Sequence, residues 1–459
     1  MALASNWWNT ELLRVEVTGP RVISISQELV MSTVDLKLSV MRRVFKHLST
    51  ACLATVLAWS TQVAMAADAG WPQARNDAGG TSFNAGETSL SALNLANIQI
   101  HWATRVVYYA NVVSADGQAF ATIEDRDIDS NPLDRLVRLD PTNGATVWKV
   151  PSPYAGTASP AIVNDLVIVA GNNPDDSFDG LVTAFDRATG AVRWSYTVPA
   201  WFGTSTLHTP LVSGGRVYLL SYQGEILVLD AVTGGLIWNR RTESDYSYTG
   251  IALAVAGGKV FLTDSRKGLI ARDAADGQEI WRFEPSPSKV IASQPMAVGD
   301  SVLFMDRTSR VYSLNALTGQ VRWISRLPQA DSGSFCFPSG DNSFSNLASD
   351  GSRVFALCLN SLTNTQKLSA FELVSGALLW KASVGEGNRN LAVANGVVYV
   401  KGKRLRAMVA ATGAAIAMPK IRDEFYSSAQ MILADGRLLF TTSAPGNTFL
   451  QAWGLPPAR

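Results

Sequence analysis

Along this chain short apolar runs of period two come in pairs, each pair joined by a polar turn that carries a glycine, and six of the second runs end on tryptophan. They read LVRLDPTNGATVW (ending at Trp148), LVTAFDRATGAVRW (Trp194), EILVLDAVTGGLIW (Trp238), LIARDAADGQEIW (Trp281), RVYSLNALTGQVRW (Trp323) and KLSAFELVSGALLW (Trp380). Successive side chains of a strand point to opposite faces, so each stretch predicts a β-hairpin. Asp140, Asp186, Asp230 and Asp273 open four of the turns, with Asn315 and Glu372 in the other two. A short polar side chain there can fold onto the backbone two residues on, and the glycine supplies positive φ without a Cβ clash. The alternation also predicts that each Trp shares a face with the residue two before it: Thr146, Val192, Leu236, Glu279, Val321 or Leu378. A Trp at a fixed place in every repeat buries ~150–250 Å² and reads as packing between repeats rather than as a cofactor contact.

A seventh copy, RLRAMVAATGAAIA, keeps Thr412 and Gly413 but has Val409 for the acid and Ala417 for the Trp. Successive Trp positions lie 46, 44, 43, 42 and 57 residues apart, and Ala417 follows Trp380 by 37. A period of about 40–45 residues with several strands per unit predicts a β-propeller of four-stranded blades. The other two strands of a blade are visible ahead of each hairpin, as in ASPAIVNDLVIVAG, HTPLVSGGRVYLLSY and SQPMAVGDSVLFMD. After the seventh copy, SAQMILADGRLLFTTSAPGNTFLQAW supplies three strands and then stops. NIQIHWATRV, carrying Trp102, is an orphan fourth strand at the other end. Joining the two predicts an all-β, eight-bladed β-propeller of antiparallel blades over residues 98–455, closed by its N-terminal strand with no open sheet edge at the join.

The D-x-x-T-G-x-x-x-W series resembles the pyrroloquinoline-quinone-type (PQQ-like) repeat, and GWPQARNDAGGTSFN resembles the lead-in of such propellers. The family holds quinone-dependent dehydrogenases and non-enzymatic scaffolds, among them the propeller lipoprotein of the outer-membrane β-barrel assembly machine. The dehydrogenases resemble one another in setting an adjacent Cys-Cys disulfide against the cofactor, and Glu, Asn and Asp ligands on a Ca²⁺ ion. This chain has no adjacent cysteines. The resemblance therefore leans toward the non-enzymatic members and carries no ligand or base to any position. No cofactor is expected, PQQ with calcium being the alternative.

Residues 41–66 have the form of a bacterial secretory signal: Met41-Arg42-Arg43-Val44-Phe45-Lys46, the apolar run ACLATVLAW, and Ala64-Met65-Ala66 before cleavage at Ala67. The apolar run is short for a transmembrane span, so no integral membrane protein is expected. Residues 1–40 read as an upstream extension from a misassigned start, 67–97 as a lead-in and 456–459 as a tail. The paired arginines resemble a twin-arginine signal, ordinary secretion being the other reading. Periplasmic or secreted location is expected. Removing residues 1–66 takes six basic and four acidic residues from the totals of 39 and 38, leaving 33 against 34. A balance so near zero gives no case for nucleic acid. Two cysteines remain, Cys336 and Cys358, either disulfide-bonded or two separate thiols.

His101 and His208 are the only histidines after residue 66, and no hydrolase, zinc or phosphate-loop motif is present. Asp125, Asp127 and Asp129 have calcium-loop spacing, but Ser130 stands where such a loop has Gly, and a solvated turn is the competing reading. The connections from one blade to the next emerge on one face, and they are rich in aromatic and charged residues: Tyr108, Tyr109, Tyr154, Trp201, Phe202, His208, Tyr246, Tyr248, Lys289, Arg389, Arg422 and Tyr426. Aromatic and basic groups on a rigid scaffold suit partner binding or ligand stacking; packing into the channel wall is the alternative. The expected function is a monomeric, non-catalytic binding or scaffold protein whose partner is an envelope protein or a small-molecule or carbohydrate ligand. A quinoprotein alcohol or sugar dehydrogenase and a secreted hydrolase or lyase are the alternatives.

Overall fold

Each two-strand repeat pairs with the two strands ahead of it to make one blade; in the computed structural model seven blades form this way and an eighth joins strands from both ends of the sequence. The chain divides into two units, Met1–Met65 and Ala66–Arg459. The structure describes residues 70–457 of the second, except 108–109, 127–131, 154–157, 176–178, 200–208, 222–223, 242–252, 265–267, 286–290, 292, 329–345, 361–364, 386–389, 422–429 and 445–446. Within these the fold is all-β, with one three-residue 3-10 turn at Leu95–Asn97.

The inner strands of blades 1 to 8 are Ala110–Ala115, Ala161–Val163, Leu211–Ser213, Leu253–Ala256, Met296–Val298, Leu347–Ser349, Asn390–Ala394 and Ile432–Ala434. Each neighbours the next, and the eighth neighbours the first. Blade 8 takes its outer strand, Gln99–Val106, from the other end of the sequence: Trp102 faces Ala452, Ala103 faces Gln451 and Arg105 faces Phe449. The expected closure is therefore the observed one.

The turn chemistry explains how blades join. Asp140 Oδ1 accepts from Thr142 N at 2.8 Å, Asp186 Oδ1 from Ala188 N at 3.0 Å, and Asn315 Oδ1 from Leu317 N at 2.8 Å. The turn glycines sit at φ +70° to +76° from Gly144 to Gly413, where only glycine is unstrained. Bare glycine also makes room for the Trp of the preceding blade. A Cβ on Gly144 would lie 2.5 Å from Trp102, on Gly277 2.7 Å from Trp238, and on Gly376 2.4 Å from Trp323. The indole N–H then donates to a carbonyl of the same turn: Trp102 to Pro141, Trp148 to Ala188, Trp194 to Ala231, Trp238 to Ala274, Trp281 to Ala316, Trp323 to Leu373 and Trp380 to Ala410, all at 2.9–3.2 Å. Ring on glycine and N–H on carbonyl form a latch at seven of the eight blade junctions.

One expectation is corrected. The residue two before each Trp does not share its face, because a β-bulge intervenes. In blade 3, Trp238 pairs with Val228 but Leu236 pairs with the adjacent Leu229, and blades 2 and 5 shift likewise. The extra residue flips the alternation. Val192, Leu236, Val321 and Leu378 consequently face solvent, 41–59% exposed.

Candidate functional site

The lead-in forms a hub across the axis of the ring. Ser114 N of blade 1 donates to Trp71 O, Ile162 N of blade 2 to Pro72 O, Val255 N of blade 4 to Ala78 O, Ala297 N of blade 5 to Gly79 O, Ser349 N of blade 6 to Thr81 O and Val393 N of blade 7 to Ser82 O, at 2.7–3.0 Å. In blade 3 the Gln73 side chain takes the place of backbone, accepting from Val212 N at 2.7 Å. In blade 8 Asn84 Nδ2 donates to Leu433 O at 2.7 Å and also to Gly70 O at 2.9 Å, which ties the two ends of the loop together. Fourteen residues thus meet all eight inner strands in order. Each bonded residue lies one or two positions before the turn that ends its inner strand, so the hub occupies one end of the axis, the end bearing the D-x-x-T-G turns.

Inside the hub lies Arg75, 4% exposed, donating to Leu253 O at 2.5 Å and Pro295 O at 2.8 Å. Burial pulls its guanidinium down to about 10, with Asp77 acting the other way, so it stays charged at neutral pH. Burial likewise raises the Asp77 carboxyl, against bonds from the Thr81 hydroxyl and amide. Gly80 is required here because a Cβ would meet the Arg75 guanidinium at 2.3 Å. At the register of those two carbonyls blades 2, 3 and 5 carry Pro160, Pro210 and Pro295. Proline removes an inner-edge N–H that would otherwise need an acceptor.

One residue further from the hub, the same register carries Asn111, Ser159, Thr209, Gln294, Asn346, Asn390 and Gln430 in seven blades. Five of these are at most 6% exposed: Asn111, Ser159, Gln294, Asn390 and Gln430. With its amide oriented to suit its neighbours, Gln430 accepts from Trp71 Nε1 and Arg75 N, both at 2.9 Å, and donates to Ser159 Oγ at 3.1 Å. That last bond joins blades 8 and 2 past blade 1, so this register reaches the axis. All seven groups are neutral. Ca²⁺ takes about six to eight oxygen ligands, carboxylates commonly among them, and the described residues of this layer include no carboxylate. No group of three or more His, Cys, Asp or Glu able to hold a metal occurs among the described residues either. The described residues of this layer thus offer no carboxylate to such a pair, and no chemistry is derived through it.

The connections between blades leave and return at the end of the axis opposite the hub, as the ends Pro151 and Ala161, Val198 and Leu211, and Arg241 and Leu253 show. Tyr108, Tyr109, Tyr154, Trp201, Phe202, His208, Tyr246, Tyr248, Lys289, Arg389, Arg422 and Tyr426 fall in these connections by sequence, and all twelve lie outside the described residues. Asp127, Asp129 and Cys336 also lie outside them; Asp125 is on the strand Gln118–Arg126. Cys358 is 3% exposed and disulfide-bonded, and its partner cysteine is outside the described residues. Sequence reasoning missed the hub's wiring and the neutral axial layer, although S-P, T-P and Q-P ahead of three inner strands were a visible signal of an unpaired edge.

With this geometry in hand, comparison places the protein among PQQ-like propellers. A family model described as outer membrane protein assembly factor BamB matches residues 57–282 and 179–416, and the chain belongs to that family. Among curated relatives, it is 32% identical over 130 residues to the serine/threonine-protein kinase AfsK of Streptomyces griseus, covering 26% of this chain and 15% of the kinase. It is 29% identical over 150 residues to quinohemoprotein alcohol dehydrogenase ADH IIB of Pseudomonas putida, covering 26% of this chain and 21% of that one. To BamB of Yersinia pestis it is 28% identical over 167 residues, covering 33% and 39%. The chain thus spans 15–39% of the length of these relatives. Of solved structures, BamB from Moraxella catarrhalis matches with TM-score 0.57 at 17% identity, over 78% of this chain and 100% of that one. A europium-containing methanol dehydrogenase matches with TM-score 0.64 at 11% identity, over 84% and 98%. At such identities these two likenesses speak for the fold alone. No helix among the described residues is long and apolar enough to cross a membrane.

Proposed function

We propose that this protein is an exported, non-catalytic binding or scaffold propeller that engages an envelope protein through the face opposite the hub. The observation that carries the reading is the neutral axial layer, whose described positions are amides and hydroxyls with no carboxylate among them. The family description as an assembly factor supports the same reading. So does the use of the hub face, whose turn acids Asp140, Asp186 and Asp230 are engaged by their own backbone amides. The inter-blade connections, with Trp201 and Tyr248 among their aromatics, are then the surface left for a partner.

The test is a pull-down from envelope extract with the mature protein. A partner recovered by wild type and lost with Trp201→Ala and Tyr248→Ala supports the proposal; recovery unchanged by both rejects the aromatic face. The similarity to an alcohol dehydrogenase keeps a second reading, quinoprotein catalysis. Adding the quinone and Ca²⁺ and following dye reduction with alcohols and aldoses separates the two. Stoichiometric quinone uptake with turnover would overturn the scaffold.

A further inference from the structure

We infer that residues 84–98 are a clasp that takes the place of the indole latch between blades 7 and 8, and that the ring opens at this junction when the clasp is released. The latch is missing there on both sides. Blade 7 ends in a two-residue strand, Ala415–Ile416, followed by exposed Ala417 in the Trp position. Blade 8 has no D-x-x-T-G turn to receive an indole, because its last two strands, Asn447–Gly454 and Gln99–Val106, come from opposite ends of the sequence.

The clasp supplies what the latch does not. Phe83–Asn84 adds a parallel strand to the inner edge of blade 7, pairing with Val393 and Ala394. Asn84 then uses all four hydrogen-bonding positions of its amide: Nδ2 on Gly70 O and Leu433 O, Oδ1 from Gly86 N and Glu87 N. Glu87, 1% exposed, accepts from Ser89 N and Leu90 N with one oxygen and from Gly436 N of blade 8 at 2.6 Å with the other. From the blade 7 side, Asn395 Nδ2 donates to Thr88 O and Leu90 O. Leu90, Leu95 and Ile98 then sink into the core shared by blades 7, 8 and 1. Blade 7 and blade 8 are thus each bonded to the clasp through the tip of their first hairpin. Removing it leaves this junction with neither indole latch nor clasp, while the other seven keep their latches.

Hydrogen exchange on the full chain tests the inference. Asn395→Ser removes both bonds from blade 7 and Glu87→Gln weakens the bond to blade 8, whereas Trp238→Phe perturbs one ordinary latch. In the two clasp variants, exchange should accelerate about tenfold or more in Asn390–Ala394, Val397–Lys401 and Ile432–Ala434 and stay at wild-type rates in blades 3 and 4. Trp238→Phe should give the reverse pattern. A clasp variant that accelerates all blades alike, or none, overturns the inference. A gain-of-lock variant guards against failure to fold. A Cβ at Gly436 would sit 3.3 Å from Ser89 Cβ, near the spacing of a disulfide, so Ser89→Cys with Gly436→Cys should cross-link clasp to blade 8. Oxidised, it should slow exchange in blades 7 and 8 only, reversibly on reduction; equal slowing in blades 3 and 4, or no slowing, would sink the clasp.

Discussion

The junction of blades 3 and 4 and the junction of blades 7 and 8 solve one packing problem by opposite means. In the first, Trp238 is 6% exposed, covers Gly277 and donates to Ala274 O, all within 40 residues of sequence. In the second no indole of blade 7 covers a turn glycine of blade 8, and the join is made by a segment some 300 residues away in sequence from the turns it holds. The difference follows from ring closure. A blade completed by a strand from the other terminus has no turn between its last two strands, so an indole from the blade before it would find no glycine to cover and no turn carbonyl to reach. Exposed Ala417 thus stands where an indole would have no turn of blade 8 to latch onto.

The largest expected effect comes from emptying an ordinary latch. Trp238→Ala removes a buried ring and its hydrogen bond and should cost about 3–5 kcal/mol, read as a fall in the urea midpoint at unchanged slope. A cost under about 1 kcal/mol would mean the indole is dispensable and the comparison fails. Next, Gly376→Ala places a methyl at φ +70° and 2.4 Å from Trp323. Left-handed backbone and overpacking together should cost about 2–4 kcal/mol. Its seam counterpart, Gly436→Ala, has φ +72° but meets only Ser89 at 3.3 Å, so about 1–2 kcal/mol is expected from the backbone alone. Equal costs at the two glycines would show that indole contact adds nothing to the latch.

These differences also explain what could be read from the chain before its structure. Each hairpin is encoded within about 15 residues, by alternation, turn chemistry and one large aromatic, and blade count and closure follow from the spacing of the copies along the chain. The bulge was not legible, since a pure alternation rule assigns Leu236 and Trp238 one face and cannot register the added residue that separates them. The hub was not legible because Trp71 to Asn84 spend their oxygens and amides on eight strands far apart in sequence, with no periodicity of their own. Of the site, sequence reading named the aromatic and basic residues of the inter-blade connections; the axial layer of amides escaped it, because Asn111 and Gln430 align only once the strands are in register.

A smaller effect should appear in acid. Bonds from Thr142 hold the Asp140 carboxyl below its ordinary range, and bonds from Thr189 and Thr233 do the same for Asp186 and Asp230. A carboxylate lowered in the folded state contributes stability above its unfolded value, about 3.9, and loses it as pH falls through the folded value. The Asp140→Asn, Asp186→Asn, Asp230→Asn triple variant should therefore show a shallower fall in stability below about pH 4 than wild type. At neutral pH little should change, since Asn315 makes the same turn with an amide. Parallel acid limbs in the two proteins would show that these acids do not carry the acid sensitivity of the turns.

The smallest expected effect is the sharpest test of why the seam differs. If Ala417 were a lost latch, Ala417→Trp should restore one and stabilise the ring by an amount comparable to what Trp238→Ala removes. If the closure makes an indole useless there, the new ring has no glycine turn in blade 8 to cover and no turn carbonyl to reach, so it stays in solvent beside Ile416 and Met418. Stability should then move by less than about 0.5 kcal/mol, as for an ordinary surface substitution, and the fluorescence of the added Trp should be that of an exposed indole. A gain above about 1 kcal/mol with a blue-shifted emission would mean that blade 8 offers a docking site for the indole after all. The clasp would then be an addition to the latch and not its replacement.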